Sequence, residues 1–484
     1  MNNNTVSTKG TDGLFYVGLQ IKNLAFGLKK VYSKQAIGKK IDKIKTWQNI
    51  FAQDFVEHYK KKFGSYPDFD VIVSDIIADY NNDEESRQIC VNFGYGFRLY
   101  DSSEELFKDI AKTLNLNMRG AIRKMKTFYS IPRETIESEA LLQIANIEEL
   151  ESLKEFAIMP DVHAGYDMPI GGVALLDNQI SPSFVGYDIG CGVSHVNTRM
   201  IFDKSAKNFD ELTEFVFTEA YKRIPVGFNS LSKPVVYKSD FTSASGDEEL
   251  TERVREKIAT QYGTLGGGNH FIEIGLNDKK EIGITIHSGS RNAGHTVADY
   301  YMKKGRIFNL DSELGQAYMS DMNYCLEFAL ENRKKMIDIM LSIFGLNITS
   351  FMPDFINKNH NHAIVTDTGV LHRKGAISAG KNEMGIIPGN MRDGVYIVKG
   401  LGNADFLNSA SHGAGRAMSR GKAKKNINIE DFKQTMAGIK AKVDSETLDE
   451  SPFAYKNFDD VIFAQAGKNI EIVDKFVPII NIKG

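Results

Sequence analysis

Cysteine is scarce in this chain: Cys90, Cys191 and Cys325 are the only three in 484 residues. They cannot build a disulfide framework and point to a reducing, cytoplasmic setting. Long apolar runs are missing. No stretch approaches the roughly 18 residues of a membrane span. The N-terminal Met-Asn-Asn-Asn-Thr-Val has no apolar core of a signal peptide. The expectation is a chain that is neither exported nor membrane-bound. Charge of one sign is missing as well: 59 Lys and Arg against 62 Asp and Glu leave a net −3. Any phosphate contact must therefore come from local clusters rather than from a basic average. Two clusters stand out: Arg119, Arg123, Lys124 and Lys126, and Arg416, Arg420, Lys422, Lys424 and Lys425. Each also reads as a solvated helix face. No Ser-His-Asp or Cys-His triad spacing is present, and no Gly-Lys-Ser/Thr follows the glycines at 266–268, which excludes a Walker loop.

With 42% hydrophobic and 25% charged residues the composition is that of a globular protein. The length calls for two domains, or one large domain with an appendage. Residues 1–13 read as disordered. Ile37, Ile41, Ile44, Trp47, Phe51, Phe55 and Tyr59 recur at helical spacing and predict an amphipathic helix over 37–63. Residues 71–73 and 89–93 read as strands. Ser102 followed by Glu105 is a capping box for a helix to about 114. Residues 1–125 are thus expected to form a small accessory α/β unit, with its one histidine, His58, on an exposed helix face. Over 126–484 short strands such as 173–176 and 282–286 alternate with glycine-rich turns. Tyr318, Met322, Cys325, Leu326, Ala329 and Met336 predict a long helix over 314–345, with Cys325 in its apolar stripe. The expected class is α+β.

What the chain does have is histidine in company. Nine of its ten histidines lie beyond residue 160, and most sit in glycine- and acid-rich segments. These read Met-Pro-Asp-Val-His at 159–163, Gly-Tyr-Asp-Ile-Gly-Cys-Gly at 186–192 and Gly-Gly-Asn-His-Phe-Ile-Glu at 267–273. They continue with His-Ser-Gly-Ser-Arg at 287–291, His-Asn-His at 360–362 and Ser-His-Gly-Ala-Gly-Arg at 411–416. Imidazole, thiolate and carboxylate are the ligands a transition metal takes from a protein. Asp188 and Cys191, flanked by Gly186, Gly190 and Gly192, can face one ion, or the sulfur can bridge two. The turn at 266–270 can cradle phosphate through backbone N–H groups and opens a strand at Phe271. His287 closes a strand beside Arg291, and His360 and His362 can share a strand face as ligands. His412 is expected at a helix start, where the helix N-terminus and Arg416 would hold a phosphate against it. Together these features predict metal-dependent phosphoryl or nucleotidyl transfer.

The ordered segments resemble the RtcB family of RNA-splicing ligases over roughly 126–484. The resemblance extends to Arg-Lys-Gly-Ala at 373–376, Ile-Pro-Gly at 387–389, Ala-Tyr-Lys at 454–456 and the final Lys-Gly. It implies an RtcB-like mixed α/β ligase domain around a dinuclear metal centre. It also implies a GTP- and manganese-dependent enzyme that joins RNA 2′,3′-cyclic phosphate or 3′-phosphate ends to 5′-hydroxyl ends. By motif, Asp188, Cys191 and His270 would hold one Mn2+, and Cys191, His287 and His360 the second. His360 is preferred over His362 because the family has His followed by Asn. His412 would attack the GTP α-phosphorus and carry GMP. Asn269, His270, Phe271, Ile272, Glu273, His360, Asn361, Pro388, Gly389, Asn390, Met391, His412, Gly413, Ala414, Gly415, Tyr455 and Lys483 would surround the nucleotide. A cyclic phosphate would first be opened by water, and the run after Arg416 would contact RNA backbone. An archaease-type activator is a partner such enzymes can need.

Two positions depart from the family pattern. Asn390 replaces a small hydroxyl residue, and Val395 stands where a second serine is usual. Both are expected in the guanylate cradle, where they would alter nucleotide affinity or base preference. Softness does not favour manganese over zinc at a cysteine ligand, so the metal follows from the resemblance alone. Two other readings stand beside the ligase. One is a hydrolase that opens cyclic phosphates without sealing, and the other is a non-catalytic RNA-binding protein. The six residues Asp188, Cys191, His270, His287, His360 and His412 argue against the last.

Overall fold

The computed structural model describes residues 126–235 and 240–484, together with short strands in the first 125 residues. The chain divides into two compact units, Met1–Lys126 and Thr127–Gly484. In the first, Val71–Val73 pairs with Leu19–Ile21, and Arg87–Asn92 pairs with Phe97–Tyr100, at the two places where the sequence reads as strand. Thr8–Lys9 pairs with Leu14–Phe15. The rest of 1–13, the helices expected over 37–63 and 102–114, His58 and the cluster Arg119, Arg123 and Lys124 lie outside the described residues.

The second unit mixes helix and sheet. Its main elements are β1 (Lys126–Tyr129), α1 (Ser138–Glu148), β2 (Leu153–His163), β3 (Ile170–Leu176), β4 (Gly192–Ile201), α2 (Phe209–Arg223), α3 (Glu248–Gln261), β5 (Phe271–Leu276), β6 (Glu281–Ser288), α4 (Arg291–Lys304) and α5 (Glu313–Ile343). They continue with β7 (Ile356–Asn359), β8 (Asn361–Thr366), β9 (Gly369–Lys374), β10 (Ala376–Ser378), β11 (Met384–Pro388), β12 (Val395–Gly400), β13 (Ser409–Ser411) and β14 (Ile470–Lys483). One sheet has the order β8-β9-β3-β2-β1, and the larger one runs β7-β4-β6-β5-β14-β12-β11. The expected strands 173–176 and 282–286 lie within β3 and β6.

Register decides what each face of the larger sheet carries, because side chains alternate along a strand. Ile272 is opposite Ile286 and Ile482, and Ile274 is opposite Ile284 and Ile480. This apolar face packs with Val216 and Ala220 of α2 and Met336, Ile337 and Met340 of α5 in one core. The intervening positions form the other face: Phe271 opposite His287 and Lys483, and Glu273 opposite Thr285 and Asn481. The alternation that buries isoleucine on one side therefore delivers His287, Glu273 and Lys483 to the other.

Helix α5 follows from its pattern. Ser312 caps it by accepting a 3.1 Å hydrogen bond from the Gly315 amide. Tyr318, Met322, Cys325, Ala329 and Met336 are buried as the spacing requires, and burying a large apolar side chain stabilises by ~1.5–3 kcal/mol. Cys325 is a core residue. Among the described residues no helix is long and apolar enough to cross a membrane.

Candidate active site

The site forms where strand ends from both sheets meet. Gly190, at φ 72°, turns the chain into β4. At Gly192 a side chain would press on the Asn359 backbone, so glycine lets β4 start flush against β7. Between these glycines Cys191 Sγ lies 3.2 Å from His287 Nε2 and 3.4 Å from His270 Nε2. Asp188 Oδ2 is 3.0 Å from His270 Nε2, and His287 Nε2 is 3.3 Å from His360 Nε2. Two ligand groups result, Asp188–Cys191–His270 and Cys191–His287–His360, each with its ligand atoms within 4.8 Å of one another. The sulfur belongs to both.

The donor set fits a metal. His270 Nδ1 donates to the Leu265 carbonyl at 2.9 Å and His287 Nδ1 to that of Asn269 at 3.1 Å. These bonds turn both Nε2 lone pairs on the same sulfur. One S–H can satisfy only one of them, whereas a cation serves both. Burial holds His287 and His360 well below the ordinary imidazole range, so both are neutral. Burial and the Asp188 carboxylate push the Cys191 thiol up. A thiolate there would call for a cation beside it, and metal binding would release a proton.

His412 follows β13, its ring centroid 4.7 Å from that of His360. Its Nδ1 donates to Asp161 Oδ2 at 2.6 Å. The same oxygen accepts from the amides of His412 at 3.1 Å and Gly413 at 3.3 Å. Asp161 is wholly buried and leaves Nε2 as the free ring nitrogen. The expected helix at 412 is not there: the next helix is Arg420–Asn426. Gly415 at φ 73° packs on the Asp161 backbone, and the amides a helix N-terminus would offer to phosphate are turned to a carboxylate instead.

A cavity of about 300 Å³ opens beside His412 and His287. Asn269, Phe271, Pro388, Gly389, Asn390, Met391, Gly413, Ala414, Gly415, Tyr455 and Lys483 line it, as do His163, Arg416 and Arg420. Glu450 organises one wall. It accepts from Lys483 Nζ at 2.7 Å, Tyr455 Oη at 2.6 Å, Arg420 Nη1 at 2.5 Å and Arg416 Nη1 at 3.2 Å. Burial alone would raise this carboxyl, but Lys483 and Arg420 hold it at about 2. Glu273 lies deeper on the same sheet face. Burial lifts it to about 8, and it accepts from Asn481 Nδ2 at 3.1 Å while its Oε1 has no partner.

Other expected residues stand apart from the cavity wall. Ile272 points into the core. Asn361 sits behind the ligand groups, donating to the Asp188 carbonyl at 3.1 Å and accepting from the Gly375 amide at 3.0 Å. Asn390, by contrast, lines the cavity, but its Oδ1 accepts from the Arg392 and Asp393 amides at 3.0 and 3.1 Å, which makes it a turn former as well. Val395 is a correction: opposite Pro388 in register, it packs with Ile386, Ile397 and Phe476, away from the cradle. His362 is buried against Arg373, outside both ligand groups. Arg291 is committed to Thr264 Oγ1 and the Gly227 carbonyl, both at 3.1 Å. In the basic run Arg416, Arg420 and Lys424 face Asp449 and Glu450, while Lys422 and Lys425 are exposed. Asp161, His163 and Glu450 were not singled out from sequence. The first two lie in the Met-Pro-Asp-Val-His segment, which was the available signal, and Glu450 has none.

The RtcB family model, described as tRNA-splicing ligase RtcB, matches residues 143–246 and 235–484. RNA-splicing ligase RtcB of Escherichia coli is 31% identical over 389 residues, covering 72% of this chain and 95% of that protein. The tRNA-splicing ligases RtcB of Nanoarchaeum equitans and Methanococcus maripaludis are 29% and 28% identical, each covering 72% of this chain and 92% of the relative. The match takes in both ligand groups, His412 and the cavity wall through Lys483, and on that ground the chain belongs to the RtcB family.

Proposed function

We propose that this protein is an RNA ligase that uses GTP and Mn2+ to join RNA 2′,3′-cyclic phosphate or 3′-phosphate ends to 5′-hydroxyl ends. The observation that carries the reading is His412. It is fixed by Asp161 through Nδ1 and placed 4.7 Å, ring to ring, from His360 at the edge of the 300 Å³ cavity. Asp188, Cys191 and His270 would hold one ion, and Cys191, His287 and His360 the other. Bound divalent cations supply charge neutralisation for a triphosphate and polarise the phosphorus under attack.

His412 Nε2 attacks the GTP α-phosphorus, an N–P bond forms and pyrophosphate leaves. Asp161 keeps Nδ1–H directed at its carboxylate and stabilises the positive charge that grows on the ring. The GMP passes to the RNA 3′-phosphate and restores free His412. The RNA 5′-hydroxyl then attacks that activated phosphorus, and GMP leaves. Lys483, Tyr455 and Asn269 bind the nucleotide, with Glu450 holding the first two in place. Glu273, with its unpaired Oε1, is a hydrogen-bond partner for the base. Lys422 and Lys425 are exposed cations for the RNA backbone.

Residues 1–125 are an accessory unit to this 126–484 ligase domain, the setting is cytoplasmic, and an archaease-type activator is a candidate partner. The test is ligation of an RNA with a 3′-phosphate end to one with a 5′-hydroxyl end, with and without GTP and Mn2+. Joined product only with both supports the reading. Opening of a cyclic phosphate without GTP and without joining would favour the hydrolase.

A further inference from the structure

A guanidinium from outside the ligand segments ties them together. Arg333 of α5 is completely buried, and its acceptors in the structure are all neutral. Its Nη1 donates to the carbonyls of Gly190 at 2.9 Å and Ser288 at 2.7 Å, and its Nη2 to Asn359 Oδ1 at 2.6 Å. Its Nε donates to Asn357 Oδ1 at 3.0 Å and Ser194 Oγ at 3.2 Å. Gly190 precedes Cys191, Ser288 follows His287, and Asn359 precedes His360. One planar fork thus reaches the chain neighbour of each ligand in the Cys191–His287–His360 group. Gly192 pairs with both Ser288 and Asn359 in the sheet, so the three segments already lie side by side, and Arg333 locks their ends at the point where ligands project. Burying a charge with no carboxylate hydrogen-bonded to it is costly, and the core around α5 could have been filled with apolar residues.

We infer that Arg333 is a positioning residue for the metal centre, setting the spacing of Cys191, His287 and His360 from behind. This rests on the metal-centre reading above. It predicts that the group holding the second ion depends on Arg333 more than Asp188–Cys191–His270 does, because only Cys191 of that triad adjoins a segment the guanidinium grips. Lysine cannot substitute, since an ammonium lacks the fork needed to bridge five acceptors.

The test uses the full chain and Mn2+ alone, titrated by calorimetry, beside thermal unfolding of the metal-free proteins. Arg333→Lys is expected to weaken Mn2+ binding about 10–100-fold, as outer-shell changes do. Asn359→Ala removes one acceptor, is milder for folding, and is expected to weaken one of two binding events while sparing the other. It decides the matter if Arg333→Lys does not fold. Variants that melt earlier yet bind both ions with wild-type affinity would make Arg333 merely structural and overturn the proposal. Wild-type protein that binds no Mn2+ would overturn the metal-centre reading itself, and this inference with it.

Discussion

Replacing Asp161 by asparagine tests the proposal that this carboxylate makes His412 a nucleophile. The substitution keeps shape and an acceptor oxygen but removes the negative charge under Nδ1. Three hydrogen bonds end on Asp161 Oδ2, at 2.6, 3.1 and 3.3 Å. A bond to a charged acceptor contributes about 1.5–3 kcal/mol and a neutral one about 0.5–1.5. The short bond from the ring strengthens most, because attack on phosphorus makes the imidazole cationic. Exchanging a charged acceptor for a neutral one costs that step the difference, about 1–1.5 kcal/mol, which slows it roughly 5–10-fold at about 1.4 kcal/mol per tenfold. The two amide bonds can persist to the amide oxygen, so folding loses less than it would in Asp161→Ala. The assay is single-turnover labelling from α-labelled GTP, with Mn2+ affinity measured in parallel. A variant labelled at the wild-type rate with unchanged Mn2+ affinity would refute the positioning argument. Slow labelling explained entirely by weaker Mn2+ binding would refute it too.

Glu450→Gln removes the charge that gathers Lys483, Arg420 and Arg416, so nucleotide KM is expected to rise with kcat less affected; an unchanged KM would contradict the role. The folded pKa of Glu450, about 2, lies below its ordinary 4.5. Its stabilisation, roughly 3 kcal/mol, is thus present above pH 4.5 and lost as pH falls toward 2. Wild-type and Glu450→Gln unfolding free energies should converge over that window, and a constant gap would sink the assignment. Cys191→Ser should lose high-affinity binding of both ions together, since the sulfur is common to both groups. Loss of only one ion by elemental analysis would argue against a bridge.

The motifs made the candidate ligands legible because each carries its chemistry in a few adjacent residues: Asp188 with Cys191, His270 after three glycines, His287 at a strand end. The separation of His360 from His362 could not be read from spacing alone. It follows from β7 ending at Asn359 and β8 starting at Asn361, which leaves His360 at the junction. Partnerships across long chain separations were the illegible part. Asp161 and His412 are 251 residues apart, and nothing local to either names the other. The segment from His412 reads as a helix start, yet it forms a bend in which Gly415 packs on the Asp161 backbone. The family pattern places Val395 in the cradle with Asn390, but the β11–β12 hairpin pairs it with Pro388 and sends the valine side chain into the core. Arg333 was hidden because its neighbours on α5 make an ordinary apolar stripe.

The central claim is that His412 carries GMP. Wild-type and His412→Ala proteins, incubated with α-labelled GTP and Mn2+ and run on a denaturing gel, test it most directly. The account predicts an acid-labile label on wild type and none on the variant. No label on wild-type protein shown to have bound metal, or equal label on both, would contradict it.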